Sequence, residues 1–103
     1  SYPVLEERKM NEQMREKLIA NMTDNLPILR KKLGLTQEEF ATIIGVDRST
    51  VAAIENHKRQ MSWSLFLASL MVFTKNKKTD KLLNVLDIYT DELNEFIKHV
   101  AED

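Results

Sequence analysis

The chain has 103 residues, of which 43% are apolar and 30% charged, with a formal net charge of −1 and no cysteine. That length holds one self-sufficient core, and the balance is that of a soluble globular protein rather than a disordered tail. Disulfide scaffolds and thiolate chemistry are excluded, and a reducing, cytoplasmic compartment is expected.

Only two Gly and two Pro are available for turns, while Leu, Glu, Lys, Met and Ile abound, so an all-α chain is expected. The longest apolar run, Leu65 to Phe73, is about half of the roughly 20 residues a bilayer span needs. It lacks the flanks of a signal peptide, so it reads as a buried helix, with no membrane partner. The sequence opens at Ser1, and Met10 is a candidate natural start. Charge is unevenly spread: residues 1–25 carry a net −1, residues 26–60 a net +2, and residues 61–103 a net −2. The middle third alone suits an anionic partner, and so small an excess predicts modest affinity per protomer.

No repeat, low-complexity tract or linker appears. Met10, Met14, Leu18 and Met22 recur every fourth residue from about Leu5 to Met22, which predicts an amphipathic helix. Thr23 or Asp24 is then expected to cap a second helix, with Pro27 in its first turn, where amides are unpaired anyway. Leu26, Leu29 and Leu33 share one stripe of that helix, and Gly34 ends it. Thr36-Gln37-Glu38-Glu39 has the form of a capping box, opening a helix with Phe40, Ala41 and Ile44 inward. Gly45 supplies the positive φ of a sharp turn, and Asp47 caps a helix over about Arg48 to Asn56 with Val51 and Ile54 inward.

A basic loop follows at His57, Lys58 and Arg59, and Ser62 or Ser64 starts a buried helix containing Leu65, Phe66, Leu67, Leu70 and Met71. Lys75–Lys81 reads as a turn, with Thr79 or Asp80 capping a last helical region that reaches about Ala101 and breaks near Thr90. Leu82, Leu83, Val85, Leu86, Ile88 and Tyr89 point around most of that region, and Leu93, Phe96, Ile97 and Val100 form its distal stripe.

Two helices of one apolar face each, joined by a short turn at Gly45, read as a helix-turn-helix. The residues Leu29-Arg30, Gly34 to Ala41, Gly45-Val46, Ser49-Thr50-Val51 and Ile54-Glu55-Asn56 make this stretch resemble the phage-repressor (Cro/repressor, xenobiotic-response-element) family, over roughly Leu26 to Phe73. The resemblance implies that the second helix of the motif enters the major groove with its N-terminal end toward the bases. It places Arg48, Ser49 and Ala53 at base-facing positions, Gln37 where a phosphate is bound and the first reading residue braced, and Asn56 at a backbone contact. It also implies an ion pair between Arg30 and Glu55, each about 70° from the centre of its own apolar stripe.

The residues themselves point the same way. Relative to the Val51/Ile54 midpoint, Ser49, Ala52, Ala53 and Asn56 all lie more than about 120° away. Two alanines let a helix approach DNA closely, and a methyl suits a thymine C5-methyl. Arg48 flanks the first turn, with reach for guanine O6 and N7. Thr50, Lys58 and Arg59 are assigned to the DNA backbone with Gln37 and Asn56, although a solvated loop would look similar.

An enzyme is not expected. His57 and His99 are 42 positions apart, and Glu95/His99 is the nearest approach to a metal pair. There is no glycine loop for phosphates, no nucleophile motif, and no cofactor or metal is called for. The reading is an all-α, five-helix repressor-type helix-turn-helix domain with an additional N-terminal helix and an extended C-terminal helical region. Its divisions are an N-terminal amphipathic helix at 1–25, the DNA-binding core at 26–75 and a C-terminal region at 76–103 suited to dimerisation. Core residues are expected at Leu29, Leu33, Phe40, Ala41, Ile44, Val46, Val51, Ile54, Leu67 and Leu70. The expected function is sequence-specific binding of double-stranded DNA by a homodimeric bacterial or phage-type transcriptional repressor. The alternative is an antitoxin or other module that uses the same fold to bind a protein partner.

Overall fold

A computed structural model describes residues 5–102, except the side chains of Leu5, Glu6, Met10 and residues 99–102. Seven helical segments and no strand occur among the described residues: α1 (Leu5–Lys32), α2 (Gln37–Ile44), α3 (Arg48–Glu55), α4 (Trp63–Lys75), α5 (Lys77–Asp80), α6 (Leu82–Val85) and α7 (Asp91–Glu102).

α1 departs most from the sequence pattern. Two helices were expected to meet at Thr23/Asp24, yet one helix of 28 residues runs through Pro27. Proline has no N–H to give to the carbonyl four residues back, and its ring crowds that carbonyl, at a cost of about 3 kcal/mol. Burial on both sides of the proline outweighs this: Met22, Leu26 and Leu29 are essentially inaccessible, and Leu18 and Ile19 lie in the same core. Breaking the helix would withdraw at least one of these side chains, each worth about 1.5–3 kcal/mol when buried. Thr23 is accordingly buried within the helix and Asp24 stands exposed on its side, so neither is a cap.

The core gathers residues from every layer around Leu29, Phe40, Val51, Ile54, Phe66 and Phe73, all at most 1% exposed. The rings of Phe40 and Phe73 stack at 5.5 Å, joining α2 to α4, and those of Trp63 and Phe66 at 4.8 Å. Leu33, Ile44 and Val46 pack on its edge. Ser62 caps α4 by accepting the amide of Leu65. Leu67 and Met71, expected inside, are exposed instead. They lie about 90° and 130° around α4 from the centre of the Phe66, Leu70 and Phe73 stripe, which is the face that meets the core.

The Lys75–Lys81 turn is itself partly helical. Thr79 is buried and does not cap the next helix, because its hydroxyl donates back to the carbonyl of Phe73 at 2.7 Å and is also 3.2 Å from that of Asn76. The break near Thr90 is present, with Thr90 accepting the amide of Leu93 at the start of α7. Leu83, Ile88 and Leu93 are buried, whereas Val85 and Ile97 are exposed; the side chain of Val100 lies outside the described residues.

Pro27→Ala should raise stability by about 1–3 kcal/mol, since it restores an N–H inside a continuous helix. Urea denaturation checks this. A neutral or destabilising outcome is what two helices meeting at Thr23/Asp24 would give.

Candidate nucleic-acid interface

The interface is built by short-range chemistry. Thr36 and Glu39 satisfy each other's amides at 2.9 and 3.0 Å, closing a capping box at the start of α2. The backbone amide of Thr36, and after it the Thr36 hydroxyl, hold the Glu39 carboxyl below its ordinary range. Gly45 ends α2 with φ of 80°, a left-handed conformation that glycine adopts without penalty, and Val46 donates to the Ala41 carbonyl at 3.0 Å. Asp47 occupies the N-cap position of α3, but its carboxylate makes no capping bond. Its carbonyl accepts the amides of Thr50 and Val51 instead.

α3 is held from behind by Val51 and Ile54, both about fully buried. Arg48 and Ser49 stand exposed on its first turn, and Ala52, Ala53 and Thr50 are half-buried. Asn56 is the exposed C-cap. His57 then turns the chain with φ of 59°, and the amides of Lys58 and Arg59 both reach the Ala53 carbonyl, at 2.8 and 3.2 Å. The basic loop is therefore bonded to α3 and moves with it. Arg59 also leans on the Thr50 hydroxyl at 3.4 Å.

Arg30 and Glu55 meet in a two-pronged ion pair, with Nε to Oε2 at 2.8 Å and Nη2 to Oε1 at 3.0 Å. Both side chains are less than a tenth exposed. Two partners of this pair lay beyond sequence reasoning: Arg30 Nη1 donates to the Leu35 carbonyl at 2.7 Å, and Gln37 Nε2 donates to Glu55 Oε1 at 3.0 Å. The second brings the first residue of α2 to the last of α3. Hydrogen bonding to Glu55 raises the Arg30 pKa against the opposing effect of burial. Burial pushes the Glu55 carboxyl up, but the bonds from Arg30 and Gln37 and the charges of Arg30 and Lys31 together bring it below its ordinary value.

Among the described residues no three His, Asp or Glu come together as metal ligands, and no helix is long and apolar enough to cross a membrane. The side chain of His99, and with it the Glu95/His99 pair, lies outside the described residues.

Residues 28–62 match the family described as Helix-turn-helix. A stretch of 39 residues is 56% identical to a protein of Methanothermobacter thermautotrophicus named an uncharacterized HTH-type transcriptional regulator. It covers 38% of this chain and 54% of that protein, so the match spans about half of the relative's length. No solved structure matches the chain. The segment from α2 to α3, two helices joined by a turn at Gly45, lies within the matched residues.

Glu55→Ala strands the buried guanidinium of Arg30 and should cost about 3 kcal/mol or more, read by thermal or urea denaturation. The pH dependence follows from the lowered carboxyl. Glu55 contributes stability above its unfolded pKa of about 4.3, and that contribution drains away as pH falls through the lower folded value. Glu55→Gln should therefore flatten the acid limb of the stability curve below about pH 4, and an unchanged acid limb would contradict the assignment.

Proposed function

We propose that this chain binds double-stranded DNA in a sequence-specific manner and acts as a transcriptional repressor of the bacterial or phage type, working as a homodimer in the cytoplasm. The observation that carries the reading is the pairing of an exposed reading end, Arg48 and Ser49, with a basic loop bonded to the same helix through the Ala53 carbonyl. A helix anchored by Val51 and Ile54 presents its N-terminal turn outward, which is the disposition that major-groove reading requires. Arg48, Ser49, Ala52 and Ala53 take the base edges. Gln37, Thr50, Asn56, Lys58 and Arg59 take the phosphates, with Gln37 steadied by Glu55.

Two features support a dimer. The positive excess of residues 26–60 is small for a lone protomer. Exposed apolar side chains outside the matched segment, Met71, Val85 and Ile97, also offer surface to a second subunit. A two-fold pair would set its reading helices about 34 Å apart, on half-sites one helical turn apart.

Selection of bound duplexes from a random pool tests the reading and yields the half-site spacing. On the selected site, Arg48→Ala should cost about 1–3 kcal/mol and abolish the preference at one base pair per half-site. Lys58→Ala should instead weaken binding to all sequences alike and reduce the slope of log K against log salt by about one unit. Equal loss on specific and random DNA for Arg48→Ala, with base preference intact, would reduce Arg48 to a phosphate contact. A chain that retains no duplex at low salt is not a DNA-binding protein.

A further inference from the structure

α1 runs beside the basic loop that follows α3. Between them lies a cleft of about 300 Å3, with Glu16, Ile19 and Asp24 of α1 on one wall and His57, Lys58 and Arg59 on the other. The walls are close: His57 Nε2 is 3.9 Å from Asp24 Oδ1, with both side chains well exposed. Among the described residues neither Lys58 nor Arg59 is ion-paired with a carboxylate. The loop cations are thus available to a phosphate, while Glu16 and Asp24 line the same cleft from the α1 side.

We infer that Glu16 and Asp24 are an electrostatic brake on the DNA-binding loop, holding its affinity for phosphate below what Lys58, Arg59 and His57 would reach alone. The inference rests on the DNA-binding reading above. Exposed charges act on one another over a Debye length, about 8 Å at physiological salt, and a phosphate seated on this loop would feel both walls of the cleft. The magnitudes make this matter. The net positive excess of residues 26–60 is two charges, and the two carboxylates equal it.

Continuity of α1 is part of the device. A helix broken at Thr23/Asp24 would leave Asp24 at a loose end, whereas the unbroken helix keeps both carboxylates on one wall. Their placement on α1 also separates the brake from the reading helix, so it sets affinity without touching base preference.

The test compares three forms of the full chain on random-sequence duplex DNA by fluorescence anisotropy across a salt series: the native protein, Glu16→Gln/Asp24→Asn, and Glu92→Gln/Glu95→Gln. The last pair removes the same net charge from exposed positions on α7. The α1 variant should bind roughly three- to tenfold tighter than the native chain at low salt, and the gain should fade as salt rises. The α7 variant should stay near the native value. Equal binding by the native and α1 forms overturns the brake and leaves DNA binding standing, as does an equal gain in the α7 variant. Absence of binding in all three overturns the DNA reading and the brake with it.

Discussion

The guanidinium of Arg30 bonds two segments directly and a third through Glu55, and the candidate interface is assembled around it. It holds Glu55 at the last turn of α3, the Leu35 carbonyl in the connection before α2 and, through Glu55, the Gln37 amide at the first turn of α2. The parts proposed to touch DNA come from different stretches of chain, and this cluster sets their mutual positions. An ion pair shielded from water is a poor source of net stability, because desolvation opposes its attraction, but it tolerates few alternative geometries. Its value here lies in registering two helix ends against each other. Behind them lie the apolar contacts of Leu29, Phe40, Val51 and Ile54 in the shared core.

From that registry the rest of the interface follows by short links. α3 carries the basic loop with it, because the Ala53 carbonyl accepts two of the loop's amides. His57 takes a left-handed conformation to make the turn, which a non-glycine residue adopts at a cost of about 1 kcal/mol. The residues proposed to read bases and those proposed to hold the DNA backbone consequently belong to one bonded unit.

The flanking helices join the same structure through polar and aromatic contacts. Arg15 of α1 lies between the rings of Trp63 and Phe96, 5.2 and 5.5 Å from their centroids, tying α1 to α4 and α7. Such contacts contribute about 0.5–2 kcal/mol each, which helps to offset the buried Arg15 Nε that finds no hydrogen-bond partner. Asn21 donates to the Asp87 carbonyl, where the chain passes from α6 toward α7. The long N-terminal helix therefore serves two purposes: its apolar face completes the core, and its exposed acidic side faces the basic loop.

Features decided within a few residues were legible in the amino-acid sequence. The Thr36/Glu39 capping box, the left-handed Gly45, the break at Thr90 and the inward faces of α2 and α3 depend on neighbours three or four positions away, so spacing alone determined them. Spacing offered both Ser62 and Ser64 as the cap of α4, and the structure takes Ser62. What needed a distant partner was not legible. Pro27 is an ordinary helix starter by local rules, and only burial of Met22, Leu26 and Leu29 against other helices keeps α1 whole around it. The α4 run from Leu65 to Phe73 is apolar on nearly every side, so its pattern could not say that Phe66, Leu70 and Phe73 go inward while Leu67 and Met71 do not. Thr79 bonds a carbonyl six positions earlier, Gln37 a carboxylate eighteen positions away, and Asp24 faces a loop more than thirty positions on. Tertiary structure settled these, because each depends on which segments the core brings together, and local periodicity carries no record of that.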